Sequence, residues 1–157
     1  MADMLVKLYD LPDCDAMIRR LEGEGINIRR AMVPDMYGIL EYVEKAFGKN
    51  WKGECSVCFA HQPVSCFIAE KDGKVLGFAC YNATMPDFFG PTGVSEQCRG
   101  KGVGAALLLK CLKSMRDEGY AYAIIGGAGP VTFYEKVCGA KVIEDSTPGA
   151  YKDFIGL

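Results

Sequence analysis

Apolar residues along the chain switch repeatedly between a spacing of two and a spacing of three to four, the periods of strand and helix. Leu5 to Tyr9 has the pattern of a short strand. Asp13 is placed to cap a helix carrying Cys14, Met17, Ile18 and Leu21, which Gly23 and Gly25 stop. Ile26 to Met32 alternates as a second strand. Pro34 and Asp35 then open a helix with Met36, Ile39, Leu40, Val43 and Phe47 on one stripe, ended by Gly48. A further short helix presents Trp51, Cys55, Cys58 and Phe59 inward. Val64 to Glu70 and Lys74 to Tyr81 are strands joined by Lys71-Asp72-Gly73, an antiparallel hairpin by its Asp-Gly pair. Phe88 to Val94 is a strand broken by Gly90, Pro91 and Gly93, which predicts a bulge or irregular pairing. Gly104 to Met115 is helical, with Leu108, Cys111, Leu112 and Met115 inward and Gly119 as its stop. Ala121 to Ile125 is a buried strand, and Pro130 starts a short helix bearing Phe133, Tyr134 and Val137. Lys141 to Glu144 and Ala150 to Ile155, hinged by Thr147-Pro148-Gly149, are predicted as two last strands.

These 157 residues suit a single domain with a real core, and no repeat or low-complexity tract divides them. A net charge of −2 argues against a chain built to coat nucleic acid or a membrane surface. No apolar run reaches the ~18 residues of a membrane span, and the start Met1-Ala2-Asp3-Met4 lacks a signal peptide's features, so the expectation is a cytoplasmic protein. Eight cysteines without an export signal are expected to be reduced core residues. One group, Cys55-x-x-Cys58-x-x-His61-x-x-x-x-Cys66, has the ligand types of a zinc site, but its spacing is unusual and Cys55 and Cys58 already fit an apolar helix face. The expectation is that no metal binds.

The stretch richest in chemical content is Val94 to Leu112. A tight turn, Arg99-Gly100-Lys101-Gly102-Val103-Gly104, runs straight into a helix. Glycines expose several N–H donors toward one point, and the helix start adds the positive end of its dipole, an arrangement that suits a phosphate. It is not a Walker loop, for no G-x-x-x-x-G-K-S/T string occurs. It is not a dinucleotide fingerprint either, since the glycines fall at 100, 102 and 104. Here the chain resembles the GNAT superfamily of N-acetyltransferases, whose acetyl-CoA motif is Q/R-x-x-G-x-G/A. Arg99, Gly102 and Gly104 occupy its defined positions, and Phe133-Tyr134-Glu135-Lys136-Val137-Cys138-Gly139-Ala140 follows like the family's second signature.

The resemblance covers roughly Ile26 to Asp145 and implies an α/β (α+β) fold with a mixed, mainly antiparallel seven-stranded sheet flanked by helices. Residues 1–25 precede it as an addition, covering a sheet edge or building a homodimer contact. By the same resemblance, Arg99, Gly100, Lys101, Gly102, Val103, Gly104 and Ala105 hold acetyl-CoA, the Val94 amide meets the developing oxyanion, and Tyr134 is the general acid at the CoA sulfur. Trp51 and Glu54 are placed near an acceptor expected to be a primary amine of a small molecule or peptide. Gly127 stands where many members have an asparagine that contacts the pantetheine, so backbone atoms of Gly126 to Gly129 replace it or the arm is held differently. The general base stays open among Glu54, Asp87, Tyr81, Glu96, His61 and a water relay. A catalytically silent acyl-CoA sensor is the alternative to an enzyme.

Overall fold

The edge-near strand Met4–Lys7 alternates buried and exposed side chains, whereas the strands of the central hairpin, Cys66–Lys71 and Lys74–Tyr81, are buried on both faces for most of their length. The computed structural model describes residues 1–156. β1 (Met4–Lys7) buries Met4 and Val6 and exposes Leu5 and Lys7. After it come α1 (Asp15–Gly23), β2 (Asn27–Arg30), α2 (Met36–Phe47) and α3 (Lys49–Val57). The hairpin of β3 (Cys66–Lys71) and β4 (Lys74–Tyr81) turns at Asp72 and Gly73, both at positive φ, as the Asp-Gly pair predicts. Then follow β5 (Phe88–Val94), α4 (Val103–Asp117), β6 (Tyr122–Ile125), α5 (Val131–Cys138) and β7 (Lys141–Val142).

The seven strands form one sheet in the order β2-β3-β4-β5-β6-β1-β7. Every neighbouring pair is antiparallel except β5 and β6, which run parallel. The fold is therefore the mixed, mainly antiparallel α/β sheet that the sequence suggests. Two cores lie against it. One joins Met4, Val6, Leu21, Leu107, Leu108, Leu112 and Tyr134, and the other packs Ile39, Leu40 and Val43 of α2 with Cys55 of α3 onto Ile68 and Phe78. In α4 the burial extends beyond one stripe: Val103, Ala106, Leu107 and Leu109 are buried as well, because α1 covers part of its outer side.

Two features differ from the sequence expectation. Residues 1–25 are not a cover on an edge: β1 lies inside the sheet, pairing Met4 with Ile125 of β6 on one side and Val142 of β7 on the other. The position beside β6 is thus filled from the start of the chain. Ala150 to Ile155 then has no strand to pair with there, and it forms a short 3-10 turn (Gly149–Tyr151) followed by irregular chain. The strand expected over Lys141 to Glu144 shortens to two residues. Because β1 supplies hydrogen bonds to both neighbours, deleting residues 1–7 is expected to abolish the cooperative thermal unfolding transition, read by circular dichroism, not merely to lower its midpoint.

Candidate active site

Strands β5 and β6 meet over only two residue pairs, Phe88 with Ile124 and Phe89 with Ile125. From Gly90 and Gly126 onward the two chains part. The cause is local: the register of β4 against β5 slips between Ala79 and Tyr81, so that Cys80 opposes both Gly90 and Pro91. This is the predicted bulge, built around a proline that has no N–H to give and a glycine at φ 117°. Beyond the bulge, the Ser95 amide donates to Leu76 O at 2.8 Å on β4. Strand alternation therefore aims the Val94 amide the opposite way, into the gap that β6 has left.

The phosphate-type turn opens beside this gap. Gly100 and Gly102 take positive φ, 82° and 87°, and Gly102 is the residue before α4. Ala106 N donates back to Gly102 O, whereas no backbone partner is found for the amides of Gly100 to Ala105 among the described residues. Six consecutive donors thus accompany the positive end of a 15-residue helix. A Cβ on Gly104 would sit 3.6 Å from Val94 and 3.8 Å from Phe133, which places the turn beside the gap and α5. Arg20 of α1 also reaches the turn, its Nη2 donating to Lys101 O at 2.7 Å.

Tyr134 lies on α5, its ring 5.1 Å from that of Phe133 and 6.4 Å from that of Phe89, the last paired residue of β5. Its hydroxyl has no hydrogen-bond partner among the described residues. Burial, with a smaller push from Cys138, raises its pKa to about 12, so it remains a proton donor at neutral pH.

On the other side of the gap is a cavity of about 680 Å³, walled by Trp51 and Glu54 of α3, Thr84, Phe89, Gly126 and Tyr151 among others. Glu54 is fixed by the Thr84 hydroxyl, which donates to its Oε1. The Trp51 ring stacks 5.3 Å from Phe47, which itself lies so close to Gly93 that no Cβ would fit there. Tyr151 sits where a Cβ on Gly126 would fall on its hydroxyl, and burial raises that hydroxyl to about 12, helped by Asp3 and Glu54. Gly127 is at φ 54°, and its amide donates to Asp3 Oδ1 at 2.8 Å. Ala128 N is likewise taken, by Ala2 O. Those two amides are therefore committed to the start of the chain and do not replace the missing asparagine.

Of the other candidate bases, none lines the cavity. Tyr81 is fully buried in the first core, its hydroxyl held between Arg30 and Glu118. Asp87 has a buried Oδ1 without a partner among the described residues, and burial raises its carboxyl above the ordinary range. His61 pairs with Ser65 Oγ at 2.9 Å in a separate hollow, and Glu96 is exposed at the 3-10 turn after β5.

Residues 31–140 match the family model described as the acetyltransferase (GNAT) family. The chain belongs to that family. Among solved structures it is similar to a GCN5-related glucosamine N-acetyltransferase region of a fungal multi-domain GH3 β-N-acetylglucosaminidase (TM-score 0.74, 14% identity, 90% of this chain and 19% of that one). It is also similar to GCN5-related N-acetyltransferases from Sphaerobacter thermophilus (0.66, 20%, 90% and 48%) and Kribbella flavida (0.60, 17%, 90% and 53%). At these identities the likeness is one of fold, and the chain spans between about a fifth and a half of their lengths. No curated protein matches the sequence.

Within this GNAT domain the turn and Tyr134 were legible from motifs. Arg20, Tyr151, Thr84 and Asp3 were not, because each reaches the site from a distant segment with no local signature. Gly102 is doubly constrained: an alanine there would hold a positive φ and put its Cβ 2.8 Å from Arg20 Nη2. Gly102→Ala is expected to cost about 1–2 kcal/mol in urea denaturation.

Proposed function

We propose that this GNAT-family chain transfers an acetyl group from acetyl-CoA directly to a primary amine of a small molecule or peptide. The observation that carries the reading is the conjunction at one gap: an outward Val94 amide, six unpartnered amides at a helix start, and an unpaired tyrosine hydroxyl. The turn from Arg99 to Ala105 takes the diphosphate, with Arg99 and Lys101 adding charge and Arg20 bracing the turn through Lys101 O. When bound, acetyl-CoA supplies an activated thioester carbonyl.

The chain's own residues meet the remaining demands. The Val94 N–H, already pointed into the gap, donates to the carbonyl oxygen as charge develops on it. The amine nitrogen bonds to the carbonyl carbon, the carbon–sulfur bond breaks, and Tyr134 gives its proton to the departing sulfur. The amine's proton leaves on the cavity side, where Glu54 is the carboxylate on hand, held in place by Thr84. Trp51, Phe89 and Tyr151 enclose the acceptor's apolar part and keep water from the thioester. Amino sugars, diamines and peptide amines form the acceptor screen; the first are included because one structural neighbour is named for glucosamine.

Tyr134→Phe is expected to leave acetyl-CoA affinity, measured by titration calorimetry, within about twofold and to lower kcat by ~10²-fold, since only the proton-donating hydroxyl is removed. A wild-type protein that is folded yet gives no heat with acetyl-CoA would overturn the reading. Glu54→Gln is expected to reduce kcat/KM for the acceptor by ~10²-fold at pH 7 with the affinity for acetyl-CoA unchanged.

A further inference from the structure

Half of the eight cysteines gather in one place. Cys55 comes from α3, Cys58 from the 3-10 turn that follows it, Cys66 from β3 and Cys80 from β4, and all four are fully buried. Cys66 and Cys80 are direct cross-strand partners, and Cys55 lies over them from the helix. The sulfurs of Cys55, Cys66 and Cys80 are all within 4.8 Å of one another, and no other three such groups converge among the described residues. Cys58 lies next to Cys80, just outside that mutually close trio, as the fourth sulfur at hand. His61, which the sequence pattern offered as a ligand, turns to Ser65 instead, and Cys80, which that pattern did not contain, takes its place.

Simple core packing does not account well for this. The four thiols are a third of the twelve buried residues of the second core, and they face one another where valine or alanine would fill the same space. A second observation concerns α3. Cys55 is its one buried residue, so beside its packing on α2, a helix that carries two walls of the cavity, Trp51 and Glu54, reaches the sheet mainly through a sulfur and one indole. That is little apolar area to hold nine residues in place.

We propose that Cys55, Cys58, Cys66 and Cys80 bind a thiophilic divalent metal ion of the zinc type, which pins α3 to the sheet. Zinc–sulfur bonds of about 2.3 Å in a tetrahedron need sulfurs about 3.8 Å apart, a spacing that the 4.8 Å limit on the Cys55, Cys66 and Cys80 sulfurs accommodates. Binding exchanges thiol protons for metal–sulfur bonds, with no change of oxidation state. The site is structural, behind the cavity wall and not in it, so it does not rest on the acetyl-transfer reading.

The test uses the full chain, reduced and stripped by chelator, then titrated with cobalt(II). Expected are thiolate-to-cobalt charge-transfer bands in the near ultraviolet, saturating at one ion per chain and bleached by zinc. Zinc should also raise the thermal midpoint of the wild type. Cys55→Ala is expected to lose the bands and the zinc-dependent shift, while Cys111→Ala, a buried cysteine in the other core, keeps both. Should Cys55→Ala fail to fold, Cys58→Ala carries the same expectation. The proposal is overturned if the reduced wild type gives no thiolate bands and no stoichiometric zinc by native mass spectrometry. It is equally overturned if the bands persist in a folded Cys55→Ala or Cys58→Ala, or if the protein as isolated carries a disulfide between two of these four residues.

Discussion

The separation of two parallel strands after two residue pairs is the constraint on which the molecule is built. Parallel strands normally continue side by side, because each unpaired amide in a buried sheet is costly. Here the bulge at Gly90 and Pro91 turns β5 away from β6, leaving the Val94 amide without a strand to receive it. Everything assigned to the site sits along that opening. The glycine turn and α5 lie on one side, and the cavity with Glu54 and Tyr151 lies on the other. A continuous sheet would satisfy the backbone and leave no room for a substrate.

Keeping such a gap open requires that the rest of the sheet be closed firmly. β1 does this by pairing on both edges, so that the first residues of the chain sit between segments more than a hundred positions away. Asp3 adds three polar ties: its carboxylate accepts from Gly127 N, its own amide donates to Ser146 Oγ, and its carbonyl accepts from Ile143 N. The start of the chain therefore sets the position of the Gly126–Gly129 link, and with it one lip of the cavity. Tyr151 presses on the same lip from the far end of the chain.

Elements whose signals are local were readable in the sequence. The Asp72-Gly73 turn, the stripe of α2, the Gly90-Pro91 bulge and the Arg99 to Gly104 turn each carry their cause within a few residues. What the sequence hid was pairing at a distance. Leu5 to Tyr9 has a strand pattern, yet nothing in it says that its partner is Ile125, and Ala150 to Ile155 has strand-like residues but finds the place beside β6 already taken by β1. The site divided in the same way: Tyr134 and the turn came with motifs, while Arg20 and Tyr151 are recognisable only after folding brings them in. Tyr81 and Glu54 stood alike as candidate bases by position; in the structure Glu54 lines the cavity, whereas the Tyr81 hydroxyl is held by Arg30 and Glu118.

Trp51 is the chain's single tryptophan, and it stands in the cavity wall against Phe47 and Phe78. Indole emission responds to the polarity and water content around the ring. The protein therefore carries its one indole in the wall of this cavity, with no second indole to dilute the signal of whatever displaces solvent there. Occupancy of that chamber is open to label-free optical measurement.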